Sequence, residues 1–203
     1  ADIVKDISIN GNKRISKETI VVLGNIDIDK NYESKDLNSI LKNLYESNFF
    51  KDITININNE FLIIDVIENP IIEHIVIEGV ENKKLNEFLI SSLFLKSRNS
   101  YVETIFQNDV NSLKNILKQG GYYFSKVNPI IKKNIEQNSI IITYEVALGK
   151  KAKIDQIIFI GDKKIKTRKL KNVITSEESK PWKFISKNIY IDKQRIELDK
   201  RLL

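Results

Sequence analysis

The sequence predicts an α+β chain of tandem β-α-α-β-β units, the third of them truncated. Three observations predict it. A strand-like phrase that stops at a glycine occurs three times, as ISINGNKRIS (7–16), IVIEGVENKKL (75–85) and IIFIGDKKIKTRKL (157–170). Each phrase is followed by two stretches whose apolar residues recur at helical spacing. In the first two copies the apolar period then drops from 3.6 to 2, as expected of a closing hairpin. The units run over 1–69, 70–149 and 150–203. Units of about 70–80 residues are near the lower limit for a self-sufficient core, which favours a serial arrangement with contacts at the joints.

In the first copy Ile7 and Ile9 alternate with Ser8 and Asn10, as a half-buried strand requires. Helix-start chemistry follows: Ser16 before KETIVVL, Lys84-Leu85 opening NEFLISSL, and Thr167 before RKLKNVI. Ser16 and Thr167 are expected N-caps, their hydroxyls accepting from first-turn N–H groups that otherwise lack partners. The second helices show Leu37, Leu41, Leu44 and Tyr45 in copy one, and Val110, Leu113, Ile116 and Leu117 in copy two. In copy three Ile196, Leu198, Leu202 and Leu203 begin the same pattern. Asp36, Asp109 and either Asp199 or Asp192 fall on or near the polar sides of these helices, where solvation and compensation of the helix dipole are their simplest roles.

The second helices end in NLYESNFFKDITI and NILKQGGYYFSKV, with Asn48 and Gly121 placed to close them in the left-handed region. The aromatics that follow, Phe49-Phe50 and Tyr122-Tyr123-Phe124, are expected to pack the helix ends onto the sheets. Ile53, Ile55 and Ile57 then alternate with polar residues, a turn is offered at Asn58-Asn59-Glu60, and Leu62, Ile64 and Val66 return. In copy two, Val127 to Ile131 leads through a turn near Glu136-Gln137-Asn138 to Ile140 and onward to Val146. The third copy stops at Leu203 inside its second helix, and a sheet of one strand is not a stable design, so the chain is expected to be a fragment of a longer protein.

The joints between units are short. Asn69-Pro70 is expected to be the stiffer, because proline restricts the preceding residue to extended backbone, and Gly149-Lys150 the looser.

Composition excludes several functions. The chain has no Cys and a single His, so thiol chemistry, disulfides and any Cys/His metal site are ruled out. His74 opens a strand and is expected to be structural, and no nucleophile, base and orienting group can be assembled from the sequence. The expectation is a non-enzymatic protein with no catalytic residue, cofactor or metal. No apolar run approaches the length of a membrane-spanning helix, and the start, ADIVKDI, lacks the features of a signal peptide. It is compatible with what remains after one is removed.

Net charge is +6, distributed as −4 over residues 1–69, +1 over 70–149 and +9 over 150–203. The basic end is either a solvated face or a surface for an acidic partner such as anionic headgroups. A basic nucleic-acid-binding α/β module is the reading from a different class. A KH-type module needs a GxxG loop between helices, and the seven glycines include no pair three apart. No nucleic-acid partner is expected.

Exposed backbone is the remaining chemistry. If the second strand of each closing hairpin pairs into the sheet, the first is left on the edge with unpaired N–H and C=O groups. Pro129, within KVNPIIKK, fits an edge strand because it cannot donate to a ladder. The candidate client- or partner-binding residues are Phe50, Lys51, Asp52, Ile53, Thr54, Ile55 and Asn56 on the first edge, which is expected to be the longer and uninterrupted one. On the second they are Val127, Asn128, Ile130, Ile131 and Lys132. An extended peptide could add to either by β-augmentation.

These residues resemble a known family. INGNKRIS, the helix ends LYESNFF and LKQGGYYFSKV, and the joints VIENPIIEHIVIEG and VALGKKAKIDQIIFIG are similar to POTRA (polypeptide-transport-associated) repeats of the Omp85 family. SKPWKFISKNIYIDKQRIELDKRLL (179–203), with Pro181-Trp182-Lys183-Phe184, Tyr190, Asp192 and Arg195, resembles the third unit of that family's outer-membrane assembly factors in particular. Trp182 is read as an anchor packing the inter-helix loop onto its unit. Val80-Glu81 and Ser47-Asn48 depart from the family's usual turn residues in conformationally tolerable ways.

The resemblance implies that each unit is a three-stranded mixed sheet covered on one face by two helices. It also implies a scaffold on the periplasmic side of the outer membrane, whose full-length form is held there by a C-terminal β-barrel absent from this sequence. The partners it implies are unfolded outer-membrane proteins and accessory lipoproteins of the assembly machinery, with periplasmic chaperones as a further candidate. Within the family, a secretion-type Omp85 transporter is the alternative.

Overall fold

The computed structural model describes residues 3–161, 164–182 and 186–203. The first repeat begins with β1 (Ile3–Val4) and β2 (Asp6–Asn10), continues through α1 (Lys17–Gly24), β3 (Lys30–Asn31) and α2 (Ser34–Glu46), and closes with the hairpin β4 (Phe50–Asn58) and β5 (Phe61–Glu68). The strand order is β2-β5-β4, with β2 parallel and β4 antiparallel to β5, so the sheet is mixed. β1 and β3 add a small antiparallel ribbon that the periodicity did not announce.

The core explains this order. Leu62, Ile64 and Val66 of the central strand are buried with Ile7, Ile53, Ile20, Ile40 and Leu44, so both helices cover one face of the sheet. A slip of one residue in β5 would turn that apolar set to solvent, which fixes the register and leaves β4 on the edge. Ser16 caps α1, accepting from the Thr19 N–H at 3.2 Å. The α2 start is closed by Glu33 and Asp36, with the Glu33 N–H donating to Asp36 Oδ2 at 2.9 Å, so Asp36 takes the first-turn role expected of it. The hairpin turns at Asn59 and Glu60, both at positive φ as a two-residue turn of the I′ kind requires.

The second repeat has β6 (Ile71–Glu78), α3 (Lys83–Ser92), α4 (Glu103–Gln119), β7 (Lys126–Asn134) and β8 (Ser139–Ala147), with sheet order β6-β8-β7. Asn48 and Gly121, at φ 61° and 90°, both take the left-handed conformation at the helix ends. Packing divides the chain into two compact units: Ala1–Ile75, Phe94–Gln107 and Ile131–Ile142 in one, and Val76–Leu93, Asn108–Ile130 and Thr143–Leu203 in the other.

The last segment has α5 (Thr167–Val173), a 3₁₀ turn at Lys187–Ile189 and α6 (Lys193–Leu202). Here several expectations fail. Residues 157–160 form no strand. A strand is defined by its partner, and no partner strand lies beside them among the described residues. Thr167 is the first helical residue rather than the cap, and Lys166 at the cap position offers no side-chain bond. Asp192 does cap α6, accepting from the Gln194 and Arg195 N–H groups. Trp182 is 71% exposed with Lys180 Nζ 5.7 Å from its ring, so it does not anchor its loop. Lys183 and Phe184 of the same motif lie outside the described residues.

Two aspartates are also not where helical periodicity put them. Asp109 is fully buried in α4, and burial, with the charge of Asp109 adding to it, pushes the Tyr144 hydroxyl up from its ordinary value. Asp199 is buried in α6, accepting from the Thr175 and Ser176 N–H groups at 2.6 and 3.0 Å. A carboxylate on a helix flank is drawn inside when a loop offers it unpaired amides, which periodicity cannot see. Phe124 is 78% exposed, unlike buried Phe50, so the aromatic tail of the second helix end packs only in part. No described helix is long and apolar enough to cross a membrane.

Candidate strand-docking edges

β4 and β7 are edge strands of their sheets. In β4 the parity of the backbone can be read from one residue. The Ile53 N–H donates to Tyr45 Oη and to Asp52 Oδ1, each at 3.1 Å, and not to β5. N–H and C=O groups alternate sides along a strand, so Ile53, Ile55 and Ile57 present their peptide groups outward, while Asp52, Thr54 and Asn56 bond toward Ile67, Asp65 and Ile63. The outward peptide groups thus belong to the isoleucines, although the Ile53 side chain is buried in the core.

The edge is shorter than the sequence implied. A bulge between Phe50 and Asp52 breaks the ladder at Lys51, and the Tyr45 hydroxyl occupies the Ile53 N–H. Phe50 is buried and serves the core. The open stretch is therefore Ile55 to Ile57, at the turn end of the strand. Ile57 continues the alternation and could have been included on that ground. Tyr45 could not, because nothing local in sequence links a helix residue to an amide eight positions later.

In β7, Val127 is buried and Pro129 sits on an edge strand, the place in a sheet that tolerates a residue without an N–H. Asn128 donates through Nδ2 to Glu145 Oε2 on β8 at 3.0 Å. Ile130, Ile131 and Lys132 are partly exposed. The start of β4 and the far part of β7 border a common cleft of about 490 Å³, lined by Tyr45, Phe50, Lys51, Pro70, Tyr101, Ile131 and Lys133 among others. Glu103 stands at its wall, accepting from Gln107 Nε2 at 2.8 Å and Tyr101 Oη at 2.6 Å. Those two bonds hold its carboxyl below the ordinary glutamate range.

The joint residues are tied down to different degrees. Asn69 is buried, donating its N–H to Phe49 O at 2.8 Å and its Nδ2 to Asn48 O at 3.0 Å. Next to it Glu68, 7% exposed, accepts through Oε1 from the Lys13, Arg14 and Ile15 N–H groups at 2.7, 2.9 and 2.9 Å. Burial pushes this carboxyl up, but the three amides and the Arg14 guanidinium outweigh it and hold it below the glutamate range. Glu68 closes the turn after Gly11 from 55 residues away, a link without local signal. At the other joint Gly149 has φ +66°. Beside it the Ala152 N–H donates to Gly121 O at 2.9 Å, and Lys151 Nζ lies 5.0 Å from the Tyr122 ring. His74 is exposed on β6, and among the described residues no group of His, Asp and Glu could hold a metal ion.

Residues 70–149 match the family model described as POTRA, surface antigen variable number repeat. Among solved structures, POTRA3-5 of Haemophilus influenzae BamA is similar at 20% identity, covering 99% of this chain and 84% of that one with a TM-score of 0.46. The N-terminal domain of Omp85 from Thermosynechococcus elongatus is similar at 10% identity, with 98% and 83% covered and a TM-score of 0.48. CdiB from Escherichia coli is similar at 12% identity over 71% of this chain and 27% of that one, with a TM-score of 0.34. No curated protein matches the sequence. Residues 70–149 carry the POTRA match, and the repeat before them has its main strands and helices in the same order around a mixed three-stranded sheet.

Proposed function

We propose that the chain is the periplasmic, non-enzymatic scaffold of an outer-membrane β-barrel assembly factor, and that it receives unfolded outer-membrane proteins by β-augmentation while docking accessory lipoproteins. The observation that carries this reading is the outward peptide edge of β4 at Ile55 and Ile57. Backbone groups recognise any extended chain, which suits a receptor whose clients share strand propensity and little sequence. The POTRA match of residues 70–149 supports a scaffold role of the same kind.

Proline substitution tests it. Thr54→Pro removes an N–H directed at β5 and should destabilise the first sheet by about 3 kcal/mol or more. Ile55→Pro removes only an outward N–H and should leave the sheet folded by circular dichroism. It should nevertheless abolish NMR shifts at 55–57 on titration with a peptide from an outer-membrane β-barrel strand. Unchanged peptide binding by a folded Ile55→Pro chain rules out this edge as the receptor.

We further infer that residues 150–203, at net charge +9, face anionic headgroups. Co-sedimentation with anionic liposomes should fall steeply between low and physiological salt, and deletion of 150–203 should abolish it. Salt-independent or absent binding makes this a solvated face.

A further inference from the structure

Among the described residues, Asn25, Asp29, Asn48, Asn59 and Asn138 take positive φ, as side chains that tolerate the left-handed region do. Glu60 and Arg98 take it too, without that tolerance. Glu60 has a task there, since it stands in the β4–β5 turn and accepts from Lys5 Nζ at 2.8 Å. Arg98, φ 71°, lies in the α3–α4 loop, where its N–H donates to Ile72 O at 2.6 Å and the Ile72 N–H donates to Asn99 O at 2.9 Å. Those are backbone bonds that an asparagine or glycine would make with less strain. The Arg98 guanidinium has no hydrogen bond or ion pair among the described residues.

Arg98 lines a cleft of about 450 Å³ together with Arg14, Asn48, Phe49, Phe94 and Asn99 among others, all within the first compact unit. Its polar lining consists of guanidinium, amide and hydroxyl groups, with no carboxylate among the described residues that form it. Arg14 is anchored from one side: its Nη2 donates to Asn69 O at 3.4 Å, and its Nε lies 3.9 Å from Glu68 Oε2. The apolar lining is partly open, with Phe94 71% exposed and Phe49 half-buried. The backbone at this place offers no free edge. Ile71 and Ser100 already form an antiparallel bridge, and the Tyr101 N–H donates to Pro70 O at 2.8 Å. A guest here must be recognised by its side chains.

We propose that this cleft docks a short acidic segment of a partner polypeptide, in which an Asp or Glu stands beside an aromatic residue. Charge complementarity selects the occupant. Two guanidinium groups without a carboxylate in the lining favour an anion, and the planar fork of Arg98 suits a carboxylate in particular. Phe49 and Phe94 require that carboxylate to have an apolar neighbour, and an aromatic ring fills such a wall best. The space suits a few side chains of a linear segment. The strained backbone of Arg98 is then explained by its side chain, which a residue better suited to positive φ could not supply. This site reads side chains, whereas the β4 edge reads backbone groups, and neither depends on the other.

The probe is the synthetic peptide GSDFDGS, titrated into the isotopically labelled 203-residue chain. Backbone shifts should appear at Asn48, Phe94, Arg98 and Asn99. Binding should weaken about tenfold or more for GSNFNGS, which lacks the carboxylates, and also for GSDGDGS, which lacks the ring. Arg98→Asn keeps a residue suited to positive φ and removes the charge, so it should not lower the melting temperature but should weaken the peptide about tenfold or more. Arg98→Lys, which keeps the charge without the fork, should weaken it less. Absence of shifts at these residues, shifts at 55–57 alone, equal binding of GSNFNGS, or an affinity unmoved by Arg98→Asn would overturn the proposal. A lowered melting temperature of Arg98→Asn would do the same, by making the arginine a structural residue. Tighter binding of decanoate than of the peptide would assign the cleft to an amphiphile, and concentration-dependent shifts of the chain alone would assign it to a second copy, and either overturns the proposal.

Discussion

The first repeat and the last segment begin with the same phrase and end in different states. ISINGNKRIS becomes β2, with Ile7 buried against the central strand, and its turn is closed by Glu68 at the far end of that strand. IIFIG joins no ladder among the described residues, and Ile158 and Ile160 are exposed. Both phrases stop at a glycine, and both precede a helix. The difference teaches that the opening strand has no structure of its own to give: the central strand supplies its hydrogen bonds, covers its apolar face and, through Glu68, closes its turn.

That comparison can be broken at several places. The largest effect is expected at the paired glycines. Gly11→Ala combines positive φ with a collision against Val66 O and should cost roughly 4 kcal/mol in denaturant melts of the first sheet. Gly161→Ala meets no atom and should cost about 1 kcal/mol, from backbone strain alone. Equal costs would mean that strain, and not the crossing strand, sets the need for glycine.

Next come the helix faces. Leu44→Ala empties a fully buried site in the first core and should cost about 3 kcal/mol. Leu202→Ala, at the matching apolar face of α6, removes a side chain still nearly half exposed and should change stability by less than about 0.5 kcal/mol. A large loss at Leu202 would show that α6 is packed more tightly in solution.

The smallest effect sharpens the comparison through pH. The Glu68 carboxyl is held below its ordinary value of 4.5, so its contribution is fully present above that value and is lost as pH falls below it, through the folded-state value. Glu68→Gln should cost about 2 kcal/mol near neutrality and reduce the acid-side slope of stability of the first sheet. Asp199, also held low because hydrogen bonds from Ser176 and Thr175 and the charge of Arg195 outweigh burial, acts in the same direction on the last segment. Its loss should unlock the 175–176 loop without affecting the first sheet. An unchanged acid slope in Glu68→Gln would remove the carboxylate from its assigned role.

What the sequence determined by itself is whatever depends on neighbours along the chain. The repeat order, the Ser16 cap, the left-handed Asn48 and Gly121, the I′ turn at Asn59-Glu60 and the inward set Leu62, Ile64 and Val66 all follow from period and local backbone preference. Tertiary structure decided what depends on residues far apart. It drew Asp109 and Asp199 inside, joined Glu68 to amides 53–55 positions away, placed the Tyr45 hydroxyl on the Ile53 N–H and thereby shortened the β4 edge. It also left 157–160 without a ladder and Trp182 in solvent. The reason is one of range. Periodicity reports which face of an element is apolar, but whether that face, or an amide or carboxylate beside it, finds a partner depends on which other segment arrives there.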